Sequence, residues 1–465
     1  MLQMGAPRGR VGSDGESHYS DSHVSRDLGE PMELDDLILV SVDDHVVEPA
    51  DLFEGRLPAH LAERAPRLVK LPSGADAWMF EGRPLPNVGL NAVAGRVPEE
   101  YGLEPLAFTQ MRPGCYDIHE RIRDMNVNGV LGSLNFPSLA GFAGGLFLGC
   151  PDKEVALGLL EAYNDWHVDE WCGTYPGRMI PLGVVPVWDP DLMAAETRRL
   201  AAKGCHAVTF TESPEKIGLP SFHTDHWDPF WAACDELGTV VCIHIGSSSS
   251  TVVTSSDAPI DTLITVQPVA LLNCAADLLW SPAFRKFDNL KIALSEGGIG
   301  WIPYFLERAD YVYQRHRAWT NQDFGDRLPS QVFNEHVVTC FIDDAVGMEV
   351  RHHLNMDQVC WECDYPHSDS TWPNAPEMAM KFLGGLPDED IDRITHRNAM
   401  QVFSYDPFAH LARDECTVGA LRSRATDVDT TPVSHGTGKF QEEGLVTAVT
   451  LAERIAAQAK PEVDP

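Results

Sequence analysis

The sequence predicts a (β/α)8 barrel with a cap-like insertion after its first strand and flexible segments at both ends. Eight short apolar, β-branched runs recur along the chain, and segments with helical spacing lie between them. Alternating strands and helices are typical of parallel βαβ units, and eight such strands close most economically as a barrel. An open doubly wound sheet is the alternative, but it favours a glycine-rich phosphate loop after the first strand. The sequence reads DDHVVEP there, which argues against that alternative.

The eight predicted strands follow one another along the chain with helical segments between them. They span residues 37–42, 129–135, 179–187, 206–211, 239–245, 290–295, 336–342 and 358–362. Helical spacing between them is found at 116–125, 154–171, 192–203, 227–237, 262–279 and 301–317. Together these elements place the barrel within residues 34–410.

The remaining segments do not follow this alternation. Residues 1–33 lack a hydrophobic period and are predicted to form a disordered leader. Residues 55–114, rich in Pro and Gly with scattered aromatics, are expected to cap the barrel mouth, and 246–258 to form a flexible loop over it. Residues 411–465 form a C-terminal extension, polar over 412–448, that ends in a short predicted helix, TAVTLAERIAAQAK.

Composition narrows the range of partners. The chain has 35 Lys and Arg against 69 Asp and Glu, a formal net charge of −34. Such a field repels phosphate backbones and anionic lipid surfaces, so we expect neither nucleic acid nor membrane as a partner. The 11 cysteines are scattered without a CxxC pair, and no signal peptide or membrane-spanning run is apparent. We therefore expect a cytoplasmic protein that acts on a small molecule.

Acidic and histidine side chains stand at the ends of several predicted strands. Asp43 and His45 end the first strand, His244 the fifth, Glu296 the sixth, and Asp364 the eighth. The carboxyl ends of barrel strands meet on one rim, where catalytic residues collect. Residues two apart on a strand point the same way, so Asp43 and His45 form a rigid pair. Asp343 and Asp344, which end the seventh strand, are equally compatible with a turn.

This set of nitrogen and oxygen donors suits a divalent metal ion such as Fe, Mn or Zn, with an open position for water or substrate. Each residue also has a structural interpretation. His244 within an apolar strand is by itself more often a core residue, Glu296 is also suited to capping a helix, and Asp364 to forming a turn. Their shared rim favours the metal site.

The chain resembles the amidohydrolase-related metal enzymes, which include aminocarboxymuconate-semialdehyde decarboxylase and γ-resorcylate decarboxylase as well as hydrolases and hydratases. The resemblance covers roughly residues 37–408 and is carried by five motifs in order. They are SVDDHVVEP (41–49), HWDPFWAACDELGTVVCIHIG (226–246), SEGGIGWIPYFLERAD (295–310), WECDYPHSDSTWP (361–373) and HRNAMQVFSYDP (396–407). The resemblance implies a metal-bearing (β/α)8 barrel.

The resemblance also assigns individual residues. His45 matches the second histidine of the family's His-x-His motif, while Asp43 replaces the first. His244 and Asp364 match the metal ligands of strands five and eight. Glu296 stands where many members have a histidine, so it is expected to act as a general base or as a further ligand. Such a carboxylate-rich site favours Fe or Mn and has room for a second, bridged ion.

Three functions remain open at this stage. The first is a hydrolase whose metal-activated water cleaves an amide, ester or thioester, such as an acyl-CoA, of a bulky apolar or aromatic acid in catabolism or secondary metabolism. The second is a metal-dependent decarboxylase of an aromatic or enol carboxylate, and the third a scaffold without catalysis. No Arg or Lys stands at the strand ends to hold a substrate carboxylate, although Arg83, Arg96 or Arg112 of the insertion offers a cation. The sequence therefore favours hydrolysis.

Roles within the site follow from these functions. Glu296, Asp364 and His367 are expected to transfer protons. His223, Tyr365 and Trp372 are expected to contact substrate. A homodimer is expected, because the resembled family commonly forms dimers.

Overall fold

The computed structural model describes residues 32–85, 88–102, 105–248, 254–435, 446–447 and 449–450. The predicted leader lies outside the described residues except for Met32 and Glu33. Most of the predicted C-terminal helix and residues 249–253 of the loop after the fifth barrel strand also lie outside them.

All eight predicted barrel strands are present. The strands of the described chain are β1 (Leu39–Val46), β2 (Arg67–Lys70), β3 (Asp76–Phe80), β4 (Arg83–Leu85), β5 (Val130–Pro137), β6 (Met179–Ile180), β7 (Gly183–Val184), β8 (Ala207–Phe210), β9 (Val240–His244), β10 (Lys291–Ser295), β11 (Val337–Phe341) and β12 (Val359–Trp361). Strands β1, β5 and β6 pair in parallel, as do β7 to β12 in chain order. Strands β6 and β7 lie two residues apart and share one position of the barrel.

Two backbone hydrogen bonds join the first strand to the segment that follows the last one. The Asp364 N–H donates to the Asp43 carbonyl at 2.9 Å, and the His45 N–H donates to the Tyr365 carbonyl at 2.7 Å. These bonds bring the first barrel strand beside the eighth and so close the barrel. The predicted (β/α)8 barrel is confirmed.

The α-helices lie mainly between the strands and cover the outside of the barrel. They are α1 (Ala59–Ala62), α2 (Ile118–Asn128), α3 (Gly145–Leu148), α4 (Lys153–Asp165), α5 (Pro190–Ala202), α6 (Asp228–Leu237), α7 (Ile260–Val266), α8 (Val269–Trp280), α9 (Ala283–Lys286), α10 (Ile302–Thr320), α11 (Pro329–His336), α12 (Ala345–Glu349), α13 (Ala375–Leu383), α14 (Asp388–Asp392), α15 (Asn398–Val402) and α16 (Val418–Ser423). Their starts are encoded locally: Asp117, Asp152 and Asp189 each accept two backbone N–H groups at a helix N-terminus.

The barrel interior is apolar below the mouth. Val40, Val42, Cys242, Cys340 and Cys360 belong to one buried cluster contributed by strands β1, β9, β11 and β12. Small and β-branched side chains fill the narrow interior of an eight-stranded barrel. The ionisable side chains Asp43, His45 and His244 lie in the carboxyl-terminal halves of β1 and β9.

Strand β1 changes its pairing just before its polar end. Its register against β5 shifts between Ser41 and Asp44. Asp44 accepts hydrogen bonds from the Ser41 hydroxyl at 3.0 Å, the Tyr365 backbone N–H at 2.8 Å and the Ser133 hydroxyl. It thereby links β1, β5 and the segment after β12, and burial raises its pKa to about 6. These contacts give Asp44 a structural role.

The insertion contains the small antiparallel sheet β2–β3–β4. The N–H groups of Val93 and Ala94 donate to the Pro366 carbonyl, both at 2.9 Å, which ties the insertion to the loop after β12. Trp78 and Phe80 are buried in the main hydrophobic cluster, so their side chains belong to the core. The covering of the barrel mouth by this segment stays a prediction.

The beginning of the C-terminal extension has a defined structure that its polar composition does not predict. Helix α16 buries Val418 and Leu421, and the Val418 N–H donates to the Leu37 carbonyl at 2.8 Å. Farther along, the Val433 N–H donates to the Gly95 carbonyl at 2.8 Å. Residues 418–433 are therefore anchored to both the barrel and the insertion.

One stretch of the described chain, Ile260–Lys286, is long and apolar enough to cross a membrane by length and composition alone, with a mean hydropathy of 1.5. It is divided into α7, α8 and α9, and α8 buries Leu271, Cys274 and Leu278 in the main hydrophobic cluster. Buried core helices of soluble proteins can have the same length and apolar composition as a membrane-spanning helix. The expected lack of a membrane partner stays a prediction.

We predict that Asp44→Ala lowers the free energy of unfolding by about 2–4 kcal/mol, because it leaves the buried Ser133 hydroxyl and Tyr365 N–H without their acceptor. Urea denaturation followed by circular dichroism measures the change. The control is Asp343→Ala, an exposed aspartate at the end of β11, which should stay within about 0.5 kcal/mol of the parent. Equal stability of the two variants would contradict the role assigned to Asp44.

Candidate metal centre

The predicted rim residues form one cluster at the carboxyl ends of the strands. Asp43, His45 and Asp364 are each 0% exposed, and His244 is 1% exposed. The side chain of Glu296 is 17% exposed, so the cluster is accessible mainly on the side where Glu296 lies. This arrangement provides a buried donor set with one open side.

Short distances connect the histidine nitrogens to the carboxylates. His45 Nε2 lies 3.1 Å from Asp364 Oδ1 and 3.6 Å from Asp43 Oδ1. His244 Nε2 lies 3.5 Å from Asp43 Oδ2 and 3.2 Å from Glu296 Oε2. Asp43, His45 and His244 each offer a ligand atom within 4.8 Å of the others. A small ion in this cluster is within reach of donors from β1 and β9, from the residue after β10 and from the turn after β12.

Two of the carboxylates are held in an unusual backbone conformation. Glu296 has φ 63° and Asp364 has φ 59°, the left-handed region that residues other than glycine seldom adopt. Hydrogen bonds hold both: the Glu296 N–H donates to Glu362 Oε2 at 3.3 Å, and the Asp364 N–H donates to the Asp43 carbonyl. Backbone strain of this kind occurs at functional sites, where surrounding contacts maintain it.

Most donor atoms of the cluster lack a hydrogen bond among the described residues. Both carboxylate oxygens of Asp43 and of Asp364 are buried without one, as are His45 Nε2 and His244 Nε2. The Nδ1–H of His244 donates to the Ile245 carbonyl at 2.6 Å, which leaves an Nε2 lone pair facing Asp43 and Glu296. Buried polar atoms are normally satisfied, so this convergence of acceptors calls for a cation. The residues present fit a divalent metal ion.

The electrostatics of the cluster lead to the same requirement. Burial, followed by repulsion from neighbouring carboxylates, raises the pKa of Asp43, Glu296 and Asp364 well above their usual values. Burial lowers the pKa of His244 to about 3 and that of His45 well below its usual value. The neutral histidines are therefore ready to act as ligands, while the ionised carboxylates need a positive charge beside them.

The functional assignment from sequence omitted Glu362. Its side chain is fully buried, its Oε1 has no hydrogen bond, and burial raises its pKa to about 7. Glu362 is the last residue of the predicted strand 358–362, a position equivalent to the acidic ends of the other predicted strands. That position at a predicted strand end was the available signal.

Phe142 was also missed. It follows β5 in a Gly-rich loop, and its half-buried ring lies 4.2 Å from the His244 ring and 5.1 Å from the His45 ring, centroid to centroid. Only the folded chain brings this loop beside β1 and β9, so no local sequence signal identifies it. Phe142 supplies an aromatic wall at the metal-ligand cluster.

The remaining predicted site residues divide into two groups. His367 joins the cluster, because its Nδ1 lies 2.9 Å from Asp364 Oδ1 and its ring stacks on His45 at 3.6 Å. His223 is exposed, and its Nε2 lies 2.6 Å from Asp277. No described contact connects His223 to the cluster.

Tyr365 and Trp372, expected to contact substrate, have a different environment. The Tyr365 hydroxyl donates to Asp124 Oδ2 at 2.6 Å, and the Trp372 indole N–H donates to the Asp124 carbonyl at 3.2 Å. The Arg121 guanidinium lies 4.5 Å from the centre of the Tyr365 ring, and Arg112 lies 4.4 Å from that of Trp372. These partners give both side chains a structural role beside α2, and their expected contacts with substrate stay a prediction.

Comparison with known proteins places this site in a family context. The family model described as amidohydrolase matches residues 59–404. The γ-resorcylate decarboxylase of Rhodococcus jostii is 24% identical over 349 residues, which cover 68% of this chain and 95% of that protein.

Solved structures share the fold at lower identity. An amidohydrolase from Mycobacterium avium subsp. paratuberculosis has a TM-score of 0.60 and 18% identity to this chain. The match covers 79% of this chain and 97% of the amidohydrolase chain. The 5-carboxyvanillate decarboxylase of Novosphingobium aromaticivorans, solved with manganese and 4-hydroxy-3-methoxy-5-nitrobenzoic acid, has a TM-score of 0.54 and 16% identity. The match covers 80% of this chain and 99% of the decarboxylase chain.

These findings correct the functional prediction. The hydrolysis of an acyl derivative is contradicted, because two of these similar proteins are named as decarboxylases of aromatic carboxylates, in agreement with the alternative. The argument for hydrolysis relied on the lack of a cation at the strand ends, but a metal ion can itself bind a carboxylate. The matched region spans most of the barrel. The chain belongs to the amidohydrolase family.

Proposed function

We propose that this protein is a divalent-metal-dependent decarboxylase that removes carbon dioxide from an aromatic carboxylate without oxidation. The observation that carries the proposal is the convergence of unsatisfied metal-ligand atoms beside one acid, Glu296, and one aromatic ring, Phe142. Similarity to γ-resorcylate decarboxylase, at 24% identity over nearly all of that protein, supports this reaction class. We place the enzyme in the cytoplasm.

Asp43, His45, His244 and Asp364 would hold the metal ion. When bound, the ion acts as a Lewis acid that binds substrate oxygens and stabilises the negative charge that develops on them. Manganese is the proposed ion, because carboxylate oxygens are well suited to it and a decarboxylase of the same fold binds it. Iron and zinc are the alternatives, and one ion suffices for the reaction.

Arg112, which the sequence offers as a cation for the substrate carboxylate, is already engaged. Its Nε lies 2.8 Å from both carboxylate oxygens of Asp124, and its guanidinium covers the Trp372 ring. With Arg112 engaged, we propose that the metal centre binds the substrate carboxylate. A hydroxyl group adjacent to that carboxylate would provide a second oxygen and favours a hydroxylated arene as substrate.

Glu296 delivers the proton in this reaction. It contacts His244 and is accessible from the open side, and burial followed by the nearby charges of Asp364 and Asp369 raises its pKa. As the bond from the ring carbon to the carboxylate breaks, that carbon takes the Glu296 proton and forms a C–H bond. Carbon dioxide leaves, and Glu296 regains a proton from solvent.

Two further side chains support the step. His367 places its Nδ1 2.9 Å from Asp364 Oδ1 and stacks on His45, and these contacts orient two proposed ligands. Phe142, whose half-buried ring lies 4.2 Å from that of His244, offers an aromatic surface to a ring bound at the cluster. Both residues position groups for the reaction.

We predict that Asp43→Asn and His244→Ala each reduce bound metal from about one ion per chain to well below that stoichiometry, because each removes a donor from a four-residue set. Elemental analysis after dialysis against manganese measures the content. Asp343→Asn serves as the control, because Asp343 is an exposed carboxylate at the end of the neighbouring strand β11. Full metal content in either ligand variant would show that the assignment is wrong.

We further predict that the manganese-loaded protein releases carbon dioxide from a hydroxybenzoate in a panel of hydroxylated benzoates. Isotopically labelled carboxylate traces the gas, and the arene product should carry solvent deuterium at the vacated carbon. Glu296→Gln should keep its metal and lose at least about 100-fold in turnover, because general-acid catalysis contributes on this order. Metal-loaded protein that leaves the whole panel intact, or a Glu296→Gln variant with full turnover, would contradict the proposal.

A further inference from the structure

A buried glutamate lies just after the fourth barrel strand, β8, and is bonded to the loop that follows β9. Glu212 is 3% exposed. Its Oε2 accepts the Gly246 backbone N–H at 3.2 Å, and its Oε1 accepts the Ser248 hydroxyl at 2.7 Å. The Glu212 backbone N–H donates to the Ser247 hydroxyl at 2.9 Å. Neutral donors therefore make the hydrogen bonds that the structure describes for this carboxylate.

One peptide group connects Glu212 to a proposed metal ligand. The peptide bond between Ile245 and Gly246 gives its N–H to the Glu212 carboxylate. Its carbonyl accepts the Nδ1–H of His244 at 2.6 Å. Gly246 has φ 73°, in the left-handed region that glycine adopts readily, and this turn directs the peptide toward both partners. A chain of hydrogen bonds thus runs from the Glu212 carboxylate through the peptide to the His244 ring.

We propose that Glu212 is a positioning residue that keeps the proton of His244 on Nδ1, so that Nε2 presents a strengthened lone pair to the metal ion. The inference deepens the proposed function and rests on it, because it takes His244 to be a metal ligand. Glu212 acts through the intervening peptide, and no described hydrogen bond or ion pair joins its carboxylate directly to His244.

The metal-ligand cluster itself gives the proton of His244 a second place to reside. Nε2 lies 3.5 Å from Asp43 Oδ2, so a proton on Nε2 would have a carboxylate acceptor. Hydrogen bonds to a carboxylate are stronger than those to a neutral carbonyl group. A proton on Nε2 would also occupy the lone pair that a metal ion needs. The site therefore requires an interaction on the Nδ1 side that offsets the attraction of Asp43.

The peptide can transmit such an interaction because its amide group is delocalised. When a carboxylate accepts the Gly246 N–H, electron density shifts toward the Ile245 carbonyl oxygen, and consecutive hydrogen bonds strengthen one another in this way. The carbonyl becomes a better acceptor for the Nδ1–H of His244, which makes Nε2 a more basic ligand. The low exposure of both ends, 1% for His244 and 3% for Glu212, keeps water from weakening these bonds.

Two variants separate this role from simple anchoring of the loop. Glu212→Gln keeps an oxygen acceptor for the Gly246 N–H and an amide that can bond to Ser248, but it removes the charge. Ser247→Ala removes one hydrogen bond from the same segment and leaves the carboxylate and its peptide partner in place. An anchor alone tolerates the first variant, whereas the proposed role tolerates only the second.

Manganese affinity of the full-length protein, measured by competition with a chelator, is the first readout. Glu212→Gln should bind manganese about tenfold more weakly than the parent, at the lower end of the loss that follows removal of an outer-shell partner. Ser247→Ala should stay within about twofold of the parent, because it leaves the ligand's outer-shell hydrogen bond intact. Circular dichroism verifies that each variant is folded.

Nitrogen-15 NMR of histidine-labelled protein is the second readout, with zinc as a diamagnetic ion in place of manganese. The His244 signal, identified by its loss in His244→Ala, should carry its proton on Nδ1 and show a strongly hydrogen-bonded proton resonance. Glu212→Gln should move that proton resonance upfield, and Ser247→Ala should leave it unchanged.

Three results would overturn the inference alone: a parent His244 protonated on Nε2, a Glu212→Gln variant with parent affinity and an unmoved resonance, or equal weakening by Ser247→Ala. These results are distinguishable from failure of the proposed function. If His244→Ala kept its full metal content, the ligand assignment would be wrong and this inference would fall with it.

Discussion

The candidate metal centre depends on one physical constraint, which is the burial of several carboxylates in one small volume. Asp43, Asp364 and Glu362 are fully removed from solvent, and Glu296 adjoins them. An ionised carboxylate away from water is unfavourable unless it is paired, hydrogen-bonded or bound to a metal. Protein partners satisfy only part of this requirement among the described residues, so a divalent cation is the missing element that makes the arrangement stable.

The barrel explains how such a cluster is assembled. Parallel strands deliver their carboxyl ends to one rim, and the hydrogen bonds between β1 and the turn after β12 bring Asp43, His45 and Asp364 together. Asp44, which points away from the cluster, pins the same turn through the Tyr365 N–H. Adjacent aspartates thus serve two purposes: one offers ligand atoms, and the other holds the backbone that presents them.

The sequence was sufficient to predict the eight strands and the cluster, because both follow from local patterns. Apolar β-branched runs define the strands, and polar residues at their ends define the rim. The environments of Tyr365 and Trp372 were not predictable, since they depend on Asp124 from a helix far away in the chain. Phe142 was missed for the same reason. The choice between hydrolysis and decarboxylation was also beyond the sequence, because both use the same donor set.

The central claim is that a bound divalent ion offsets the burial of these carboxylates. Thermal unfolding of the full-length protein, stripped with a chelator and then titrated with manganese, tests this most directly. The account predicts that manganese raises the melting temperature by several degrees, since a ligand at about 100 times its dissociation constant stabilises the native state by about 2.7 kcal/mol. Identical melting curves for stripped and manganese-loaded samples, with no ion retained after dialysis, would contradict it.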